Sequence, residues 1–166
     1  MPQKKKRTYP SWSMFPEYHA SVSDELAKSG LHFQFNEDDD EDSCSQDHDT
    51  NIMGRFRCRR ENCKIQGWSS KRIAITIRRY HPASYNVRVY HQRCKSCNGL
   101  SRPDLDVQSY VDRITYRLKK WNGIPVETPV YSGKSNAPHE ERLCEGCKNG
   151  HCTQSGGMVA TFPDYW

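Results

Sequence analysis

Apolar positions along the chain switch between two periods. Phe15, Tyr18, Val22 and Leu26 recur at helical spacing, so a short helix is expected over 14–29, ended by Gly30. Leu31, Phe33 and Phe35 then alternate with polar residues, as a half-buried strand does. The clearest alternation lies in 71–80 (KRIAITIRRY) and 85–94 (YNVRVYHQRC), which read as a β-hairpin turned by His81-Pro82-Ala83-Ser84. Ile73, Ile75 and Ile77 share one face of the first strand, and Tyr85, Val87 and Val89 share one face of the second. The opposite faces carry Arg72, Thr76 and Arg78, then Arg88, Tyr90 and Gln92. Such a hairpin is expected to pack inward on its oily face and to meet solvent or a partner on its basic-aromatic face.

Residues 104–121 carry the strongest helical stripe, formed by Val107, Tyr110, Val111, Ile114, Leu118 and Trp121. Asp104 and Asp106 suit the positive start of that helix and Lys119 and Lys120 its negative end, while Asn122-Gly123 and Pro125 stop it. Arg113, Arg117 and Lys120 line another face. Residues 123–138 are an irregular, Pro-rich connection. The expected class is therefore α+β: a small domain with an antiparallel hairpin or sheet and one long amphipathic helix.

Hydrophobic residues make up only 34% of the 166, and mean hydropathy is −0.98, so an apolar core alone would be lean. The cysteines change that picture. Seven of the eight fall into three groups: Cys58 and Cys63 in CRRENC, Cys94 and Cys97 in CKSC, and Cys144, Cys147 and Cys152 in CEGCKNGHC. Thiolates are strong zinc ligands, and a CxxC turn lets two sulfurs reach one ion. The simplest assignment joins Cys58, Cys63, Cys94 and Cys97 around one ion, because the hairpin returns the chain between the two pairs. A second group of His139, Cys144, Cys147 and Cys152 would be local, with His151 the rival of His139. Spacing alone leaves interleaved pairings open. Two structural Zn²⁺ would supply stability that the core lacks, about 10–16 kcal/mol of apparent binding energy for a structural site. Cys44 stands apart and reads as a free thiol.

The basic start, Lys4-Lys5-Lys6-Arg7, is followed by no apolar run, so it is not a signal peptide, and no stretch is apolar enough to span a membrane. An intracellular, reducing setting is expected, cytoplasmic or nuclear and not secreted, where cysteines bind metal rather than pair as disulfides. Residues 1–13 are expected to be a disordered basic tail, 14–155 the zinc-binding domain, and 156–166 a C-terminal tail. Within the domain, 37–50 reads as an acidic loop whose adjacent carboxylates repel and stay solvated. Charge divides accordingly. Residues 1–50 hold 5 Lys/Arg against 11 Asp/Glu, and residues 51–166 hold 20 against 9. With two Zn²⁺ and seven thiolates counted, the second part keeps a net charge of about +8, which favours an acidic partner.

GRFRC (54–58), GWSSK (67–71), YNVRVYHQRCKSC (85–97), YRLKKW (116–121) and PHEERLCEGCKNGHC (138–152) together resemble the 3CxxC-type zinc finger family. That family includes receptor-transporting proteins, zygote arrest proteins and short fungal proteins, and the arrangement is most similar to the fungal members. The likeness runs from about Phe15 to Cys152. It implies that the seven grouped cysteines are zinc ligands and that His139 is the eighth. The first group departs from the pattern, being C-x4-C rather than CxxC, and the chain shows no C-terminal membrane anchor of the receptor-transporting kind.

A catalytic role is not expected. His139-Glu140-Glu141 before CxxC is similar to a zinc deaminase pattern, but Cys152 would fill the position that a catalytic zinc keeps open. No βαβ context supports redox chemistry at Cys94 and Cys97. The expected function is nucleic-acid binding, RNA favoured, with Arg78, Arg88, Arg113, Arg117 and Lys120 on phosphates and Tyr90 or Trp68 stacking on an unpaired base. The alternative is a protein adaptor or chaperone for a client protein, anchored by the aromatics near the chain ends: Tyr9, Trp12, Phe15, Phe162, Tyr165 and Trp166. No small-molecule substrate is expected.

Overall fold

Three antiparallel strands carry the fold of the computed structural model, which describes residues 10–128 and 139–153. They are β3 (Gln46–Arg57), β4 (Gly67–Tyr80) and β5 (Ser84–Tyr90). Short strands extend the sheet on either side. β1 (Trp12–Ser13) runs antiparallel to β5 with Trp12 opposite Tyr90, and β2 (Gln34–Phe35) runs parallel to β5 with Gln34 opposite Ser84. Beyond β3 lies β8 (Pro103–Leu105), Pro103 opposite Phe56. A separate ribbon, β6 (Gln92–Arg93) with β7 (Leu100–Ser101), frames the CxxC turn.

The inner face is the one that alternation marks. Ile73, Ile75 and Ile77 lie beside Tyr85, Val87 and Val89, all fully buried. Ile75 faces Val89, and Ile77 faces Val87. Two helices cover them. α1 (His19–Ala27) buries Val22 and Leu26, and α2 (Val107–Trp121) buries Tyr110, Val111, Ile114 and Leu118. At the start of α2, Asp106 accepts from the Ser109 N–H at 3.0 Å, a side-chain N-cap. Ser109 Oγ accepts from the Met53 N–H at 2.9 Å, and the Asp106 N–H donates to the Met53 carbonyl at 2.9 Å. These bonds dock the helix start against the irregularity in β3 between Ile52 and Gly54. There a Cβ on Gly54 would stand 2.6 Å from the Asp104 carbonyl oxygen, so only glycine lets β8 close on β3.

Several expectations need correction. The helix expected over 14–29 is a 3-10 turn (Pro16–Tyr18) followed by the shorter α1, and only Gln34–Phe35 of the 31–35 alternation is strand. The tail expected through residue 13 instead supplies β1. The expected acidic loop 37–50 ends early, because 46–50 already belong to β3. Its polar side chains have partners across the sheet: Asp47 lies opposite Arg78 and Asp49 opposite Thr76, whose Oγ1 donates to it at 2.7 Å. The residues expected as tails at 1–9 and 156–166, the KKKR run included, lie outside the described residues, as do 129–138.

The last correction is the largest. Over Thr76, Arg78, Arg88 and Tyr90 the basic-aromatic face of the hairpin does not meet solvent. Arg78 is 2% exposed, Arg88 5% and Tyr90 1%. Residues 36–43 fold across this face, and Asp39 is the clasp. Its Oδ1 accepts from Arg78 Nη1 at 2.8 Å and from Arg88 Nε at 2.7 Å, and its Oδ2 accepts from Trp12 Nε1 at 2.7 Å. Glu41 accepts from Arg88 Nη2 at 3.0 Å, and the Arg88 guanidinium lies 4.1 Å from the centre of the Trp12 ring. Asn86 Nδ2 donates to the Asp38 carbonyl at 2.8 Å, and Tyr80 OH donates to the Asp40 carbonyl. Burial pushes the Asp39 carboxyl up, but hydrogen bonds from Arg88, Trp12 and Arg78 outweigh it and hold the group below the usual carboxylate range.

Removing one partner of a buried ion pair leaves an uncompensated charge, here that of Arg78, while Arg88 keeps Glu41. Asp39→Asn is expected to destabilise the zinc-loaded protein by about 3 kcal/mol in urea unfolding. Asp42→Asn, in the exposed part of the same loop, should stay within about 0.5 kcal/mol of wild type. Equal behaviour of the two variants would show that the clasp carries no stability.

Candidate metal centres

The first centre is assembled from two loops. Cys58 follows β3 directly, and its N–H donates to the Gln66 carbonyl at 3.2 Å; Cys63 closes the intervening loop through its N–H to the Arg60 carbonyl at 3.0 Å. On the facing ribbon the Cys94 N–H donates to the Gly99 carbonyl, and the Asn98 N–H donates to the Cys94 carbonyl. Asn98 takes a positive φ of 58°, which tightens that turn. The result sets Cys58 Sγ 3.4 Å from Cys97 Sγ and Cys63 Sγ 3.7 Å from Cys94 Sγ, with all four sulfurs within 4.8 Å of one another. Zn–S bonds of about 2.3 Å in a tetrahedron require S···S edges of about 3.8 Å. The geometry therefore fits zinc.

The second centre is seated on the sheet. Cys144 bridges to Gln92, and α3 (Glu145–Lys148) carries Cys147. His139 Nε2 lies 3.2 Å from Cys147 Sγ and 3.4 Å from Cys152 Sγ, and the four donors again fall within 4.8 Å. A Cβ on Gly146 would lie 2.5 Å from the Ala74 Cβ, so glycine allows the turn to press onto β4. Glu145 is buried and holds the turn in place, accepting from Arg93 Nε at 2.8 Å and Ser11 Oγ at 3.0 Å.

The thiols cannot all ionise unaided. In the first centre the Ile65 N–H pulls the Cys63 thiol down to about 7, while Cys58 is pushed up to about 12: the Arg60 N–H lowers it, but burial and its three neighbouring thiols outweigh that. In the second, hydrogen bonds from Cys152, His139 and the Cys147 N–H outweigh burial and pull Cys144 down to about 4. A dication among the sulfurs removes this competition. All eight cysteines are free thiols rather than disulfides.

A family model described as a zinc-binding domain, the 3CxxC zinc ribbon, matches residues 51–150. The chain belongs to the 3CxxC zinc ribbon family. No curated protein and no solved structure matches it. The ribbon's two groups, one of four cysteines and one of three cysteines with a histidine, support two structural Zn²⁺, each with four donors closing a tetrahedral shell.

The structure separates the two candidate histidines of the ribbon. His151 Nδ1 lies 3.1 Å from Asp49 Oδ2, and its ring stacks on Tyr90 at 5.8 Å and 11°. It fastens the last loop to β3 and β5 rather than joining the donors. This Asp49–His151 contact, Glu145 and Gly146 escaped sequence reasoning. Nothing in spacing marks them, although Glu145 stands beside a ligand.

The residues proposed from sequence to touch nucleic acid do not form one surface. Arg78, Arg88 and Tyr90 are buried as described above. Arg117 is buried too, with Nη2 2.9 Å from His48 Nε2, and Arg113 Nη1 donates to Thr50 Oγ1 at 3.2 Å. Lys120 is exposed, its Nζ 5.8 Å from the centre of the Tyr116 ring. Trp68 is half-buried near the first centre, stacked on Phe56 at 5.0 Å and 11°.

Native mass spectrometry should find two zinc ions per chain. His139→Ala is expected to leave one ion under chelator competition, whereas His151→Ala should keep both while lowering stability by about 1–2 kcal/mol. Loss of an ion from His151→Ala alone would reverse the ligand assignment.

Proposed function

We propose that the chain is a non-catalytic zinc module that binds single-stranded nucleic acid, RNA in preference, in a reducing intracellular setting. Cys58, Cys63, Cys94 and Cys97 hold one ion, and His139, Cys144, Cys147 and Cys152 hold the other. Four protein donors at each ion leave no coordination position for a reacting water, which supports a structural role. Eight free thiols support the reducing setting. No helix among the described residues is long and apolar enough to cross a membrane.

One observation carries the nucleic-acid reading. Six exposed cations cluster in the segment around Cys58 and Cys63 of the first metal centre. Arg55, Arg57, Arg59, Arg60, Lys64 and Lys71 are exposed, Glu61 is the sole carboxylate in residues 51–72, and Arg57 lies 3.5 Å from Asp104 of the neighbouring strand. A closed zinc site of four thiolates adds a charge of −2, which does not cancel this excess. Lysine and arginine in a patch of one sign supply the sequence-independent part of nucleic-acid affinity. The adaptor reading leaned on aromatics at the chain ends. Trp12 and Phe15 pack into the domain, and Tyr9, Phe162, Tyr165 and Trp166 lie outside the described residues.

Binding to a labelled single-stranded RNA is expected at low salt and should weaken steeply as salt rises, by about 0.7 in log–log slope for each phosphate neutralised. Arg60→Glu together with Lys64→Glu should weaken binding to every sequence and flatten that slope. Absence of binding at low salt by the zinc-loaded protein would remove the reading.

A further inference from the structure

A cleft of about 420 Å³ opens between the two metal centres. Its floor is the first half of β4. One wall carries Ile65 and Lys95, next to ligands of the first centre, and the other carries His139 and Leu143, in the second. Trp68 lines this cleft. Its ring is fixed twice: it stacks on its cross-strand partner Phe56, and its Nε1 donates to Gln92 Oε1 at 3.2 Å. Gln92 is held in turn, donating from Nε2 to Ser70 Oγ at 3.1 Å. The platform is therefore rigid before anything binds.

Charge around the cleft is uneven. Arg93 pairs with Glu145 at 2.8 Å and Lys95 lies 3.7 Å from Glu140. Lys71 and Arg72 line the same cleft on β4 and have no carboxylate partner among the described residues. Thus a held indole, apolar side chains at Ile65 and Leu143, and two uncommitted cations meet in one space. The volume is at the small end for ligand pockets, about 300–1,000 Å³, and suits one nucleotide rather than a duplex.

We propose that this cleft receives one unpaired base of a single-stranded nucleic acid, laid on Trp68, with the flanking phosphates held by Lys71 and Arg72. This rests on the nucleic-acid reading above and gives it a site. A base has a planar face that an indole can stack on whatever its sequence, and a single strand leaves that face free. An acidic peptide would use the cations and leave the indole idle.

The test titrates the zinc-loaded full chain into a labelled oligouridylate of about ten nucleotides, read by anisotropy near about 50 and 200 mM salt. Trp68→Leu should weaken binding about tenfold at both salts with the slope unchanged, since stacking is not a counterion effect. Trp68→Phe should recover most of the loss. Lys71→Glu with Arg72→Glu should weaken binding and flatten the slope. Each variant is checked for two zinc ions; if Trp68→Leu loses one, Trp68→Phe and the charge variant decide. Wild-type affinity in these variants, with loss confined to Arg60→Glu and Lys64→Glu, overturns the cleft and leaves the nucleic-acid reading standing. No binding by the wild-type chain removes both. Displacement of the RNA by decaglutamate at equal concentration assigns the cleft to acidic peptides and overturns the proposal.

Discussion

Three or four sulfurs held within 4.8 Å of one another cannot all carry charge unless a cation sits among them, and both metal centres are built on that demand. The first centre ties the end of β3 to the ribbon after β5, through loops with no apolar packing of their own. Gln92 and Ala74 anchor the second centre on the sheet. Such loops do not hold themselves in place, because ordering a residue costs about 1–2 kcal/mol of backbone entropy. Zinc coordination at about 10–16 kcal/mol per structural site is large enough to offset this over a short loop. The apolar core between β4, β5 and the two helices then needs to stabilise only the middle of the sheet.

A second constraint follows from where the charges lie. The hairpin carries arginines on its outer face, and burying them without partners would be prohibitive. Asp39 resolves this with one carboxylate that accepts from three side chains, and Trp12 closes the top through contact with the Arg88 guanidinium. The acidic run is thus partly structural, and a negative segment and a positive face neutralise each other inside the molecule. Of what remains basic at the surface, six cations lie in residues 51–72, beside the first metal centre.

Much of this was legible in the residues, for reasons that differ by element. The ligand groups stand out because metal spacing is short-range and chemically narrow. The inner face of the hairpin stands out because isoleucine and valine alternate with period two. β3 was hidden because its first half is polar, and Asp47 and Asp49 read as repelling charges until their cross-strand partners are known. The outer hairpin face was misread for a related reason: periodicity says which side chains share a face, not whether another segment covers it. A salt-bridged arginine and a solvated one look alike in sequence. The partner of His151 is likewise hidden in sequence, since Asp49 lies about a hundred positions away.

The placement of the cleft connects these constraints. Its walls come from segments near Cys63, Cys94 and Cys144, far apart in the chain and short on regular structure. Neither wall has a core of its own, so their separation is set by the two metal centres and by β4 and Gln92 between them. A stacking platform is useful to a ligand only if it is already in position, since ordering it on binding would consume the affinity it supplies. Trp68 meets that condition through Phe56 and Gln92, both of which belong to strands rather than to the loops. The metals therefore shape the mouth of the cleft, the sheet holds its floor, and the recognition proposed at Trp68 would inherit its rigidity from both. Loss of either ion should then loosen a wall while leaving the indole in place, which separates the metal's contribution from that of the aromatic ring.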